Sequence, residues 1–252
     1  MGFCFSSTPQ LFGSLHIISL FLICLFNIIF YHVLKNKDEH ELLVILHRLG
    51  AAMCIAEIFK QVFCFIYVFD RKLNLWFFPW QLCSMAMYVS FITIYLEEKK
   101  QNAMLVFLAT FSLLSDIVAL LLPYDMLRDQ VLLFIHSFAY HGLIITESMI
   151  ALLILRNRKD IRFFPSVIVF LIMAFIAEII NVTSHAVLND IYREPNMFYI
   201  TLSYPTTQIV FHDIAVRFSI PVEIILYLSF IILSSCILYL IEMKILKKEV
   251  HI

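Results

Sequence analysis

Long apolar runs separated by short polar breaks dominate the chain. A helix needs about 20 mostly apolar residues to cross a bilayer, and seven runs reach that length: 11–34, 41–69, 77–96, 101–122, 130–155, 164–188 and 208–246. The last is the longest. Pro221 inside it predicts a kink, because proline removes one backbone hydrogen bond and clashes one turn back. The only long connection, "YREPNMFYITLSYPTTQ" at 192–208, is rich in aromatics and proline and reads as an interfacial or re-entrant segment. No internal repeat and no second domain can be discerned. The pattern predicts one all-α unit over residues 1–252, a polytopic bundle of seven membrane-spanning helices.

Composition sharpens this picture. Apolar residues make up 62% of the chain and charged residues 15%, and the mean hydropathy is +0.91. Soluble chains run at about 45–50% and 25%, so lipid must be the solvent for most of the surface. Four glycines leave no phosphate-cradling loop, and a formal charge of −1 gives no reason to expect nucleic acid as a partner. Six cysteines without C-x-x-C spacing argue against a zinc site and a disulfide framework.

Lysine and arginine counts orient the bundle. With seven spans, one side receives Lys35, Lys37, Lys99, Lys100, Arg156, Arg158, Lys159, Arg162, Lys244, Lys247 and Lys248. The other receives Arg71, Lys72, Arg128 and Arg193. This predicts the N-terminus outside and the C-terminus in the cytoplasm. The stretch "NLWFFPWQLCSMAMYV", 74–89, then begins the third span at the outer face. Trp76, Phe77, Phe78 and Trp80 form an aromatic belt, Pro79 suits a first helical turn, and Cys83 lies about one turn deeper.

Polar residues inside spans are costly and mark function or interhelical bonding. In the sixth span Glu178, Asn181, Ser184 and His185 share one helix face. In the fifth, His136, Tyr140 and Glu147 share a face, and Ser137, His141 and Ser148 a second one about 100° around. Asp116 ends a polar stripe in the fourth, and Glu57 and Lys60 in the second stand at i, i+3 as a neutralising pair. By the seven-span reading Cys83, Asp116, His136, His141, His185 and the segment "NMFYITLSYP" at 196–205 all fall in the outer half. His136 and His141 are too far apart around their helix to clasp one ion, and no H-E-x-x-H motif occurs; no metal is expected.

Four features occur in order: Phe-Pro-x-x-Leu-Cys at 78–83, Pro-x-Asp at 123–125, "HGLII" at 141–145, and an aromatic segment ending in proline before the last span. In this the chain resembles the YwaF-like integral membrane proteins and their animal relative, transmembrane protein 164, from about residue 76 to 230. The resemblance implies a phospholipid acyltransferase working through a cysteine and a histidine, which fall on Cys83 and His141. The chain departs from the family pattern at Gln81, where a histidine is usual, at Ser84, where an acidic residue is common, and in the blurred "NMFYITL".

The residue chemistry is compatible with that implication. A thiolate can attack an ester carbonyl and split one hard transfer into two easier ones. A thiol is mostly protonated at neutral pH, so Cys83 needs a base, which His141 can supply. Asp116 and His185 are candidates to orient or polarise, and Gln81 and His136 to donate to a tetrahedral intermediate. Asn181 is a further candidate for substrate contact. The expected partners are the bilayer and a phospholipid entering from the outer leaflet, the expected location is the plasma membrane, and no cofactor is implied. Two other readings stay open: Cys83 as a small core residue, and a transporter or binding protein whose polar pocket is lined by the fifth and sixth spans.

Overall fold

The computed structural model describes residues 4–72, 74–187 and 195–249. Helices dominate these residues; an isolated antiparallel bridge joins Cys4 to Gln130. The helices are α1 (Ser14–Leu34), α2 (Glu39–Phe63), α3 (Met85–Thr93), α4 (Glu98–Phe107), α5 (Leu113–Leu121), α6 (Val131–Leu155), α7 (Phe164–Val187), α8 (Ile209–Arg217) and α9 (Ile220–Glu249). A wide turn of π-helix, Cys64–Val68, prolongs α2. A second, Leu108–Ser112, joins α4 and α5 into one rod.

Among the described residues six helices are long and apolar enough to cross a membrane: Ser14–Leu34, Glu39–Val68, Glu98–Leu121, Val131–Leu155, Phe164–Ser184 and Ile220–Leu246. The expected third span differs. Only Leu82–Thr93 is helical there, about 18 Å at 1.5 Å per residue. Ahead of it the chain runs through a 3₁₀ turn, Leu75–Phe77, and then extended backbone at Phe78 and Gln81. Pro79 does not sit in the first helical turn. It precedes the helix, and it pushes Phe78 into the extended region, as proline does to the residue before it. The segment is pinned by the Trp80 indole donating to the Met173 carbonyl at 3.2 Å and the Tyr88 hydroxyl donating to the Pro79 carbonyl at 3.1 Å.

The expected final span is also divided. α8 and α9 are separate helices that break at Phe218 and Ser219, and Pro221 lies in the first turn of α9. There its missing N–H forfeits no helical bond, so it begins a helix instead of kinking one.

The rod α4–α5 and helix α6 form the centre, whereas α1 and α9 lie at the edge with most of their apolar side chains exposed. Such faces are at home in hydrocarbon. Around the rod Phe111 stacks on Phe170 at 4.8 Å and on Phe163 at 5.7 Å. α2 and α3 cross at Gly50, where an added Cβ would lie 2.6 Å from the Phe91 nitrogen and 2.7 Å from the Met87 carbonyl oxygen. Only a glycine permits that approach. At one end of the bundle the buried Arg158 guanidinium joins three elements. It donates to Glu39 at 2.7 Å, Asn102 at 2.8 Å and Gln101 at 2.6 Å, which ties α2, α4 and the end of α6 together.

Candidate functional site

The site is built where the short helix beginning at Leu82 meets α5 and α6. Cys83 stands in the first turn of that helix, half-buried and packed against the main core. It is a free thiol. The Asp116 carboxylate is within electrostatic reach of its sulfur.

Asp116 is fully buried in α5. The Nδ1 atom of His141 on α6 donates to Asp116 Oδ1 at 2.5 Å. The two residues are 25 positions apart, and the wide turn at 108–112 helps to aim one at the other. A π-turn shifts the register of the helix that follows it, so it sets the face that α5 shows to α6. Ser148 braces the junction by donating to the Leu108 carbonyl at 2.8 Å. With Nδ1 engaged, Nε2 is the ring nitrogen left to accept a proton.

Gln81, two residues before Cys83, bonds to backbone through its amide. Its Nε2 donates to the Asn196 carbonyl at 3.1 Å and its Oε1 accepts from Phe198 N–H at 3.0 Å. Both ends of the amide grip a strap at 195–201, so Gln81 positions backbone. Asn181 does the same from α7. Its Oδ1 accepts from Met197 N–H at 2.7 Å, and its Nδ2 donates to the Met197 carbonyl at 3.2 Å and to Glu178 at 3.1 Å. The Asn181 stripe is therefore a hydrogen-bonding face. His185 was expected beside it; its side chain lies outside the described residues.

The strap needs this grip. Phe198 and Tyr199 are both left-handed, with φ of 57° and 60°, a conformation uncommon outside glycine and worth about 1–3 kcal/mol of strain each. Tyr199 reaches over to donate to Asp125 at 3.2 Å and meets the edge of Trp76 at 5.8 Å, within electrostatic reach of Cys83.

His136 lies on a different face of α6 from His141. It stacks on Tyr140 with ring centroids 5.6 Å apart and meets the Ala56 backbone of α2. Beside it Lys60 pairs with Glu57 at 2.7 Å, as their spacing predicts, and Gln61 donates to the same carboxylate at 2.7 Å and to the Phe77 carbonyl. A cavity of about 270 Å³ opens next to this group, lined by Gln61, Phe65, Phe69, Lys72, Asn74 and Phe77 among others. Among the described residues no three His, Cys, Asp or Glu side chains converge as metal ligands.

A family model described as the TMEM164 family matches residues 11–239. The chain belongs to the TMEM164 family. Searches of curated proteins and of solved structures found no match. The portion shared with the family takes in Cys83, Asp116, His141 and the whole strap.

The sequence places the segment 196–205 at the level of the site but singles out neither Asn196 nor Tyr199. Asn196 is fully buried, and its Oδ1 accepts from Thr201 N–H at 3.1 Å. Its position after Pro195 is a turn signal that could have drawn attention to it. Tyr199 carried no signal, because an aromatic between apolar neighbours looks like any interfacial residue.

Proposed function

We propose that this TMEM164-family membrane protein is a lipid acyltransferase that carries a fatty acyl chain on Cys83. The observation behind the reading is the buried Asp116–His141 hydrogen bond, set beside the helix start that bears the thiol. A carboxylate, an imidazole and a thiol at one level supply the three parts of an activated nucleophile.

Cys83 Sγ–H gives its proton to His141 Nε2, and the thiolate attacks the ester carbonyl of a phospholipid. Collapse of the tetrahedral intermediate breaks the ester C–O bond. The leaving lysolipid oxygen takes the proton from His141, and a thioester remains on Cys83. An incoming lipid hydroxyl, or water, then gives its proton to His141 and attacks the thioester, and the thiolate recovers that proton as it leaves. Asp116 holds the ring in the tautomer this requires and balances the imidazolium. The N-terminal turn of the Leu82–Thr93 helix favours negative charge on sulfur. The apolar cavity beside Gln61 and Phe77 suits an acyl chain, with Lys72 and Asn74 at headgroup level. Orientation by the positive-inside rule puts this end of the bundle at the outer leaflet.

Intact-protein mass spectrometry tests the reading, with the purified chain incubated with phospholipid beside Cys83→Ala and His141→Ala. A hydroxylamine-labile acyl mass on the unsubstituted protein, absent from Cys83→Ala, supports it. No adduct on any of the three across several lipid classes removes its main support and favours a polar binding pocket or transporter.

A further inference from the structure

The mechanism above leaves a set of buried polar groups unused, and they gather on one side of α6. Tyr140 and Glu147 are seven residues apart, two turns along one face. The Tyr140 hydroxyl and both Glu147 oxygens have no hydrogen-bond partner in the protein, and both residues are more than nine-tenths buried. Ser90 of α3 lies against the Glu147 carboxyl without a well-formed bond. Ser112 Oγ and the second oxygen of Asp116 are likewise buried and unpartnered. Asp116 and Glu147 are within electrostatic reach of one another.

Buried polar groups are almost always satisfied, by protein or by ordered water. A cluster of orphans on three facing elements therefore points to small polar occupants. The ligands do not converge as a metal site requires. Hydroxyls and carboxyls in this arrangement suit water and protons. A carboxylate without a well-formed hydrogen bond inside a membrane bundle is very costly, and holding a proton removes that cost.

We propose that Glu147 is a proton store for the Asp116–His141 pair, linked to it by a few waters held between Ser90, Ser112, Tyr140 and the two carboxyls. Moving one proton from Glu147 to His141 leaves a carboxylate and an imidazolium, so charge and proton number balance without any other reactant; the ring so protonated cannot serve Cys83 until the proton returns to Glu147. The inference rests on the reading in which His141 is the base for Cys83. Other groups that bear on Glu147 are Cys54 of α2 and, beyond it, the Glu57–Lys60 pair. From α1, His16 is occupied by the Leu120 carbonyl; the charged residues of α4, Glu98, Lys99 and Lys100, stand at its far start.

The test uses the full chain in phosphatidylcholine vesicles. Infrared spectroscopy should show the carbonyl stretch of a protonated carboxylic acid that shifts in D₂O and disappears in Glu147→Gln. A spectrum unchanged by Glu147→Gln, or a Glu147 band insensitive to D₂O, overturns the proposal. The pH profile of Cys83 alkylation by N-ethylmaleimide, read by peptide mass spectrometry, tests the link. Glutamine cannot become negative and so cannot oppose the thiolate; the midpoint should move to lower pH by about one unit, a tenfold faster reaction on the acid flank. Glu147→Asp should restore most of the original profile and guards against misfolding of the glutamine variant. Superimposable profiles for Glu147→Gln and the unsubstituted protein overturn the link. If His141→Ala leaves the Cys83 profile unchanged, the base assignment fails, while the infrared result still decides on Glu147.

Discussion

Asp116→Asn changes almost no volume but removes the charge facing His141 Nδ1, and the new amide can hold the ring in the wrong tautomer. Loss of the base should slow acylation of Cys83 about 100-fold or more, read as the rate at which the acyl mass appears, with the helical content unchanged. The two residues were visible in the sequence as candidates, because charged and imidazole groups in apolar runs are rare. Their contact was not visible, since it depends on the wide turn at 108–112, which a 3.6-residue period does not reveal. Gln81 shows the reverse case. It was legible as a polar residue at the mouth of a helix, yet its partners are backbone atoms more than 100 residues away, and no local pattern encodes those.

The strap at 195–201 stays folded because two amides, Gln81 and Asn181, bond to its backbone. Asn181→Leu leaves the buried N–H and C=O of Met197 without that partner, at about 1–3 kcal/mol for each unsatisfied group. Amide hydrogen exchange at 196–201 should speed up severalfold or more in that variant, while α4 and α6 keep their protection. Gly50→Ala is expected to force α2 and α3 apart and lower stability by about 1–3 kcal/mol, measured as a fall in thermal midpoint in detergent. Apolar length alone located six of the long helices. It overestimated the third span because "FPW" is apolar enough to continue a helix while Pro79 and its extended neighbours prevent one. It also joined α8 to α9, because hydropathy does not register a change of direction between two apolar helices.

At the scale of the whole molecule, the Arg158 node holds one end of the bundle and the amide-held strap the other. Arg158→Lys replaces a fork that serves three acceptors with a single ammonium. It should destabilise the protein by about 2 kcal/mol in thermal unfolding, an amount moderated by the half-exposed Glu39 partner. Membrane sidedness is open to direct measurement. Cys4, exposed near the N-terminus, should react with an impermeant maleimide added outside intact cells if the charge-based orientation holds, and only after permeabilisation if it is reversed. All-α membrane architecture was plain from composition. The division between a buried centre, α4–α5 with α6, and an exposed edge, α1 and α9, was not, because all four are apolar around most of their circumference and differ only in what packs on them.

The wide turn at Leu108–Ser112 bears on how this chain can lengthen or shorten through evolution. A π-turn holds one residue more than a regular helix needs between the same two points. Deleting one residue there would let the ladder close into ordinary α-helix, with both flanks still on their original faces and only the Ser148 brace disturbed. The same deletion in the middle of α6 has no slack to absorb it. It would swing every later side chain by about 100°, turning Glu147 and Ser148 out of the bundle. Natural length variation in this region should therefore be found in the rod and not in the helix it faces.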